Sequence, residues 1–272
     1  MVPVCSVVGP HGRISSDSSR GPHRSGRAFL ARPMVTAEED SEVRSLHFCV
    51  EPGGEEVVCD PDVAIIAGYT GRDRDAVLDH IAELEEIGVA PPPSVPTFYT
   101  APPQLISQAA VMVTTEPGTS GEAEVGLIVG GGEILVTVAS DHTDRAAERF
   151  DIALSKRLCN KAVATSAWRL DDVIDHWDSL QLRSWLGDDG ADLYQDGTLE
   201  ELLLPSDLLA AIPWRTAPER FLLLCGTVPT IGGLRLSSRF KAQLYDPVTD
   251  RKLGLEYRVE VRDLLVPAVA AD

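Results

Sequence analysis

The sequence predicts a β-rich α+β fold with few helices. One segment, from Thr70 to Gly88, has the apolar spacing of an amphipathic helix, with Val77, Ile81 and Leu84 on one stripe. Most of the chain beyond it consists of short apolar runs separated by glycine and proline, which is typical of strands. Strands are predicted at 108–115, 122–129, 134–139, 221–225 and 255–261, and shorter helices at 144–158 and 206–211.

The segments before and around the main helix have recognisable ends. Two short runs, RSLHFCVE and EEVVCD, predict strands around a turn at 52–54. Thr70 can cap the helix, and Asp73, three residues later, completes a variant of the capping box. Gly88 and the prolines at 91–93 end the helix.

Composition argues against several classes of partner. The chain has 42 acidic and 24 basic side chains, and its net charge of -18 repels nucleic acids and anionic membrane surfaces. Its apolar runs are far shorter than the roughly 20 residues of a membrane helix. The five cysteines are dispersed and form no CxxC pair, which is typical of free thiols in a reducing compartment. We therefore predict a cytoplasmic protein that binds neither nucleic acid nor membrane.

Residues 1–40 differ in composition from the rest of the chain. They are rich in Gly, Pro, Ser and Arg without apolar periodicity, which predicts a disordered extension. An Arg- and Ser-rich leader resembles a transit peptide, and the alternative is an extension upstream of a true start at Met34. We expect residues 41–272 to form one domain, with a small N-terminal part at 41–66.

Three carboxylates occur at the ends of two apolar strands, in GEAEVGLIVGGGEILVTVASD. Glu122 and Glu124 share one face of a strand, and the glycines at 130–132 predict a tight hairpin that returns to Asp141 beside them. One interpretation is the solvated face of a half-buried sheet. The other is a metal site, because neighbouring carboxylates need a cation to remain ionised, and oxygen ligands favour Mg²⁺, Mn²⁺ or Ca²⁺ over zinc.

A second pair of ionisable residues lies on the main helix. His80 and Glu83 are three residues apart, so they are neighbours on one helical face. A carboxylate in that position can orient an imidazole and stabilise its charged form, and such a pair can take a proton from water. The alternative is a solvent-exposed pair beside the apolar stripe.

In their order along the chain, these motifs resemble the fumarylacetoacetate hydrolase superfamily. The ExE motif, the aspartate that begins DHTDR and Lys156 in LSKRLCNKAV resemble its metal-site pattern, and LLLCGTVPTIGG resembles its Gly-Thr-Pro loop. The segment with His80 and Glu83, and the Pro-rich stretch and aromatic residue after it, resemble its HxxE segment. The resemblance spans about residues 60–262. The chain departs from the pattern in a short hairpin and in Val228, which replaces the proline of the loop.

The resemblance implies a divergent member of that superfamily with a mixed β-roll and a few short helices. It also implies a homodimeric, metal-dependent enzyme that hydrolyses a C–C bond of a small β-dicarbonyl or 2-oxo acid. Decarboxylation, dehydration and keto-enol isomerisation share the same enolate chemistry and remain open. Two interpretations without catalysis also remain open, a ligand-binding member of the fold and an acidic partner-binding domain without metal.

Residue roles also follow from the resemblance. The implied metal ligands are Glu122, Glu124 and Asp141, for Mg²⁺ or Mn²⁺, with Ca²⁺ as a further option. The implied catalytic residues are His80 and Glu83, which would deprotonate water, and Lys156, which would stabilise an oxyanion. The implied substrate-binding residues are Gly226, Thr227, Arg145 and Thr143. Lys161 is the alternative to Lys156, and the candidates for attracting an anionic substrate are Lys156, Arg145, Arg72 and Arg74.

Three further expectations concern residues outside these motifs. Residues 168–186 contain three of the four tryptophans and are predicted to contribute to the dimer interface, with an ordinary core segment as the alternative. His142 follows Asp141 in the sequence, so we expect its side chain to point to the opposite face. His176 is expected to pack against Trp177.

Overall fold

Short strands make up most of the chain, and a few short helices connect them. The computed structural model describes residues 45–86 and 91–262, with all their side chains except those of His80 and Leu84. The described residues belong to one compact unit, Glu42–Asp272. The predicted extension at 1–40, including Met34, lies outside the described residues. Within the described part, no helix is long and apolar enough to span a membrane.

The strands and helices follow one another in a fixed order along the chain. The strands are β1 (Leu46–Val50), β2 (Glu55–Cys59), β3 (Val63–Gly68), β4 (Thr97–Ala101), β5 (Ile106–Ser107), β6 (Val111–Thr114), β7 (Thr119–Ser120), β8 (Ala123–Gly130), β9 (Glu133–Asp141), β10 (Thr143–Asp144), β11 (Lys161–Val163), β12 (Ser166–Arg169), β13 (Gln181–Leu186), β14 (Asp192–Thr198), β15 (Phe221–Thr227), β16 (Arg239–Asp246) and β17 (Arg251–Val261). The α-helices are α1 (Arg74–Glu86), α2 (Arg145–Glu148), α3 (Ile152–Arg157) and α4 (Pro205–Ala211). Short 3-10 helices occur at Pro103–Leu105, Leu170–Asp172, Ile174–Ser179 and Leu199–Glu201.

Two mixed sheets dominate the architecture. The larger has the order β2-β1-β12-β9-β8-β15-β3-β4, with β11 and β5 added beside β9. The smaller has the order β14-β13-β16-β17-β6, and β7 pairs with β10 in a two-stranded ladder. Parallel pairs such as β15 with β3 and β17 with β6 occur among antiparallel ones. The β-rich α+β fold predicted from the sequence is confirmed.

The central strands of the larger sheet are buried on both faces. Along β15, Leu223 packs into one hydrophobic cluster, while Leu222 and Leu224 pack into a second cluster on the opposite face. The same alternation holds along β8, where Leu127 belongs to the first cluster and Ile128 to the second. A polar side chain at the end of these strands is therefore removed from water unless a cleft reaches it.

Two predicted helices differ from the structure. Helix α1 begins after Asp73, whose Oδ1 accepts hydrogen bonds from the amides of Asp75 and Ala76 at 3.1 Å each. The predicted cap at Thr70 is wrong, because the chain there is held extended by a hydrogen bond from the Leu203 amide to the Thr70 carbonyl. The helix predicted at 144–158 is two helices, since Asp151 caps a new one by accepting from the Leu154 amide.

Two of the three tryptophans in segment 168–186 lie in the core of the chain, whereas Trp185 is half-buried and Ile174 is exposed. Trp168 and Trp177 are 0% and 3% exposed, so they are packed within the chain and unavailable as an interface. The smaller sheet and the 3-10 helix at Ile174–Ser179 account for this, since Leu182, Leu244 and Trp177 join one cluster. The interface role predicted for these two tryptophans is therefore wrong. His176 has a further contact, since its Nε2 lies 3.1 Å from Asp246 Oδ1, and its packing against Trp177 stays a prediction.

Candidate active site

A cleft of about 1160 Å³ runs along the open end of the β8–β9 hairpin, opposite the turn, where the three predicted carboxylates lie. Its walls come from the ends of β3 and β15, the first turn of α1, helix α3 and the 3-10 helix at Leu199–Glu201. The structure brings six of the predicted site residues to its lining: Glu122, Glu124, Asp141, Lys156, Gly226 and Thr227.

The hairpin sets the positions of the three carboxylates. Strands β8 and β9 pair without a register shift from Gly130 back to Ala123, so Glu124 lies opposite Ala139. One step further, the Asp141 amide donates to the Glu122 carbonyl at 3.0 Å. The predicted hairpin is confirmed, and it brings Asp141 beside the glutamates. The alternative of a solvated strand face is wrong for Glu124, because this residue is only 3% exposed.

Asp141 lies between two buried lysines. Lys156, in the last turn of α3, donates a short hydrogen bond to Asp141 Oδ2. Lys161 Nζ lies 2.8 Å from Asp141 Oδ1 outside hydrogen-bonding geometry, and it donates instead to the His142 carbonyl at 2.7 Å. Burial by itself raises the pKa of Asp141, but the charges of Lys156 and Lys161 outweigh it and lower the pKa to about 2. Asp141 is therefore ionised at neutral pH.

Lys156 faces all three carboxylates, whereas Lys161 is enclosed by protein. Burial by itself lowers the pKa of the Lys156 ammonium, but the charges of Asp141, Glu122 and Glu124 outweigh it and raise the pKa. Lys161 is 0% exposed and is absent from the cleft lining. Of the two candidates for the oxyanion role, the cleft therefore presents Lys156.

Glu124 carries the least compensated carboxyl group of the site. Its Oε2 accepts a hydrogen bond of 2.8 Å from the Gly226 amide. Burial, and then the negative charge of Asp141, raise the pKa of Glu124 well above its usual value, and the Lys156 charge only partly opposes them. A further cation beside Glu124 would lower this pKa again, because an opposite charge favours the ionised carboxylate.

The end of β15 forms an irregular loop against β8, because the pairing register shifts between Leu224 and Thr227, and Gly226 within it must be a glycine. Gly226 has φ +97°, and a Cβ there would lie 1.9 Å from Thr70 Oγ1. The next residue is fixed by its side chain, since the Thr227 hydroxyl donates to the Ala123 carbonyl at 2.8 Å. This loop therefore closes one wall of the cleft with backbone rather than bulky side chains.

Gln195 holds this wall together and was missed by sequence reasoning. Its Nε2 donates to Thr227 Oγ1 at 2.6 Å and to the Val228 carbonyl at 2.8 Å. Its Oε1 accepts from the Ala123 amide at 2.8 Å and from the Ser184 hydroxyl at 2.7 Å. An amide group within strand β14 carries no sequence signal, because nothing in the local pattern shows that it is buried.

Two predicted substrate-binding residues lie behind the carboxylates and outside the cleft lining. Arg145 is 3.2 Å from Glu122 Oε2 and 2.8 Å from Glu148 Oε2, and its Nε donates to Ser120. Thr143 is fully buried and donates to the Asp141 carbonyl at 3.1 Å. Their contacts support the carboxylates and do not place either side chain against a molecule in the cleft.

The structure describes only part of the predicted general base, the pair formed by His80 and Glu83. The first turn of α1 reaches the cleft through Asp73, Ala76 and Val77. Glu83 is exposed further along the same helix, and the side chain of His80 lies outside the described residues. The role of the His80 and Glu83 pair therefore remains a prediction.

His142 points away from the cleft, as expected. Its Nδ1 is 2.9 Å from Tyr257 Oη, and its Nε2 is 2.9 Å from Thr119 Oγ1. Burial, and then the charges of Lys161 and Arg145, lower the pKa of His142 to about 3. The imidazole is therefore neutral and acts as a structural link between strands.

The donor set fits a hard divalent cation in charge and in ligand type. Glu122, Glu124 and Asp141 supply only oxygen, and Glu124 and Asp141 are buried beside each other. Within residues 45–86 and 91–262, however, no three His, Cys, Asp or Glu side chains are grouped closely enough to hold a metal ion. In this structure two basic side chains balance part of the carboxylate charge: Lys156 pairs with Asp141, and Arg145 pairs with Glu122.

A protein-family model matches residues 67–257, more than half of the chain, and carries the description "protein of unknown function (DUF2848)". The chain belongs to the DUF2848 family. The DUF2848 region contains all ten predicted site residues, from His80 to Thr227. No curated protein matches the chain significantly.

Solved structures show which fold this DUF2848 protein has. It aligns with the apo form of a 2-keto-3-deoxy-D-arabinonate dehydratase at a TM-score of 0.55 and 15% identity, over 76% of this chain and 77% of that one. The dehydratase complexed with magnesium and 2,5-dioxopentanoate gives 0.54 and 15%, over 76% of each chain. A protein from Escherichia coli gives 0.53 and 14%, over 75% of this chain and 96% of that one. The fumarylacetoacetate hydrolase-like mixed β-roll is thus confirmed.

Proposed function

We propose that this protein is a divalent-metal-dependent enzyme that acts on a small 2-oxo acid or β-dicarbonyl acid. The observation that carries the proposal is the position of Glu122, Glu124 and Asp141 along one cleft, beside Lys156 and the Gly226–Thr227 loop. The similarity in fold to a dehydratase complexed with magnesium and an oxo acid adds support.

The three carboxylates would hold the cation, as Mg²⁺ or Mn²⁺, with Ca²⁺ as a further option. The cation would supply Lewis-acid stabilisation of the negative charge that develops as the substrate enolises. Lys156 adds a fixed positive charge at the same place, and burial strengthens its effect on a developing oxyanion. The Gly226 and Thr227 loop would position the substrate against these groups.

Hydrolysis of a C–C bond is the first reaction we propose. His80, oriented by Glu83, would take a proton from water, and the resulting hydroxide would attack a carbonyl carbon. The C–C bond would break with its electron pair passing to the leaving fragment as an enolate, whose carbon would take up the proton that His80 removed from water. The acid formed at the attacked carbon would then lose its proton to solvent. The products are a carboxylate and a ketone or second oxo acid, so atoms and charge balance.

Other reactions would use the same groups. Decarboxylation, dehydration and keto-enol isomerisation all pass through an enolate, and Lys156 would serve each of them in the same way. A non-catalytic ligand-binding role is the candidate of a different class. The Lys156 ammonium in the cleft argues for an enzyme, because binding alone does not require a charge aimed at a developing oxyanion.

Metal-dependent stabilisation tests the site. Glu124→Gln keeps an oxygen for the Gly226 amide but removes the charge, and Glu116→Gln is the control because Glu116 is exposed outside the cleft. Saturating Mg²⁺ or Mn²⁺ at a hundredfold excess over Kd should stabilise the wild type and the control by about 2.7 kcal/mol, and the Glu124 variant far less. Equal stabilisation of all three proteins would contradict the assigned site.

Turnover then separates an enzyme from a binding protein. A panel of 2-oxo and 1,3-dicarbonyl acids, with Mg²⁺ and with Mn²⁺, can be followed by enol absorbance together with product formation. We expect at least one compound to be converted by the wild type and none by Glu124→Gln. Binding without conversion across the panel would favour the ligand-binding alternative.

We further propose that the protein is a cytoplasmic homodimer, as the resemblance implies. Light scattering at micromolar concentration should give twice the mass of one chain, and a monomeric mass would contradict this proposal. With Trp168 and Trp177 buried inside the chain, the contacts would involve other residues.

A further inference from the structure

The charged side chains that line the cleft are unequally divided between acids and bases. Two are cationic, Arg72 and Lys156. Seven are acidic: Asp73, Glu122, Glu124, Asp141, Glu148, Glu200 and Glu201. A divalent cation held by the inner carboxylates would still leave more negative than positive charge around the cleft.

Both cationic side chains of the lining are already paired. Lys156 is bonded to Asp141. The Arg72 guanidinium forms a bidentate pair with Asp178, at 2.8 and 2.7 Å, and its Nε donates to the Leu202 carbonyl at 2.9 Å. Among the described lining residues, therefore, no unpaired cation remains to receive a second carboxylate of a substrate.

The two ends of the cleft differ in burial. Glu124, Asp141 and Lys156 are buried and form the inner end. Asp73 at the start of α1, and Glu200 and Glu201 on the 3-10 helix, are exposed and form the outer end. A substrate carboxylate at the inner end can meet positive charge. A carboxylate reaching the outer end meets three acids, and the one cation there, Arg72, is already paired with Asp178.

The cleft lining also carries neutral hydrogen-bonding groups. Tyr69, Tyr99 and Thr230 are among them, and both tyrosines keep their protons because burial raises the pKa of each. Tyr69 has φ 57°, a left-handed backbone that is uncommon for a residue with a side chain. Such outliers occur preferentially at ligand sites.

We infer that the cleft accepts substrates with a single carboxylate and an uncharged, hydroxyl- or carbonyl-bearing remainder, and that it discriminates against dicarboxylates. The inference rests on the proposed function, in which the inner end holds the oxo-acid group. Selection operates through repulsion at the outer end as much as through attraction at the inner end.

A matched pair of ligands tests this inference. The dianion 2-oxoglutarate and its 5-methyl ester share chain length and the oxo-acid group, and they differ by one charge. By calorimetry with Mg²⁺ present, the ester should bind at least about tenfold more tightly at low ionic strength, the effect of one uncompensated contact between like charges. The preference should shrink at about 0.5 M salt, because the Debye length falls from roughly 30 Å at 0.01 M to a few ångströms.

Two charge-reversal variants complete the test. Glu200→Lys should remove most of the preference for the ester, and Glu116→Lys, outside the cleft, should leave it unchanged. Equal or tighter binding of 2-oxoglutarate would overturn the inference and leave the proposed function standing. The same holds if the preference for the ester changes neither with salt nor in Glu200→Lys. Metal binding without binding of either ligand would overturn both.

Discussion

The backbone amide of Gly226 donates a hydrogen bond of 2.8 Å to the buried carboxyl group of Glu124. This bond joins the irregular loop at the end of β15 to a proposed metal ligand on the adjacent strand β8. A change in the loop backbone therefore moves the carboxyl group directly. Substrate contact and metal ligation would be mechanically coupled at this point.

Gly226→Ala should break this coupling. The added Cβ would overlap Thr70 Oγ1, and φ +97° is unfavourable for alanine, so we expect a loss of roughly 2 kcal/mol in the free energy of unfolding. Chemical denaturation measures it. Adding Thr70→Ala should recover part of the loss by removing the overlapping hydroxyl, and strict additivity of the two changes would contradict the steric explanation.

Lys156→Ala should affect stability and reaction together. Removing one partner of a buried ion pair costs roughly 3 kcal/mol, although Lys161 remains beside Asp141 and should reduce the loss. If Lys156 meets the developing oxyanion, kcat should fall and KM should rise. Lys252→Ala is the control, because Lys252 is exposed on β17 and outside the cleft. A stability loss with unchanged kinetics would make Lys156 purely structural.

The sequence predicts those parts of the site that depend on local spacing. The i, i+2 pattern and the glycine turn are sufficient to place Glu122, Glu124 and Asp141 along one cleft, because a tight hairpin leaves only one register. The pairing of Asp141 with Lys156 and Lys161 is not predicted, although both lysines are candidates for the oxyanion role. Spacing along the chain does not show which side chains turn toward each other across α3 and β11.

Long-range contacts account for the other differences. Gln195 supports the loop from a strand of the smaller sheet, and no local pattern connects residue 195 with residue 227. The start of α1 is predicted at Thr70 because capping preferences are local, whereas the bridge between Gly71 and Leu202 keeps that segment extended. Tertiary contacts decide such boundaries wherever two local choices have similar free energies.

His80→Ala and Glu83→Gln test the proposed base. A positioned general base contributes roughly 10² to 10⁴-fold to the rate, so each change should lower kcat by at least about a hundredfold on a substrate found in the panel. Metal affinity should remain near that of the wild type, because neither residue belongs to the proposed ligand set. Full activity of the His80 variant would show that another group takes the proton.

Asp246→Asn should remove a pH-dependent contribution to stability. Asp246 is buried and accepts from the Thr249 hydroxyl at 2.6 Å and from the Val248 amide at 2.9 Å, with His176 Nε2 3.1 Å away. Burial alone raises the pKa of Asp246, but these partners outweigh it and lower the pKa to about 2. A folded-state pKa below the unfolded value of about 3.9 stabilises the protein above pH 4, and this stabilisation is lost as the pH falls toward 2.

The size and the sign of the Asp246 effect can be checked in one titration. The shift corresponds to roughly 2 kcal/mol of stability at neutral pH, which the asparagine variant should lack. Denaturation midpoints measured from pH 7 to pH 2 should therefore converge for wild type and variant at the acidic end. Asp175→Asn is the control, because Asp175 is exposed on the same 3-10 helix as His176. Its denaturation midpoint should differ from that of the wild type by the same amount at every pH. A gap between the wild type and Asp246→Asn that stays constant down to pH 2 would show that the carboxylate charge contributes nothing and that only the side-chain hydrogen bonds matter.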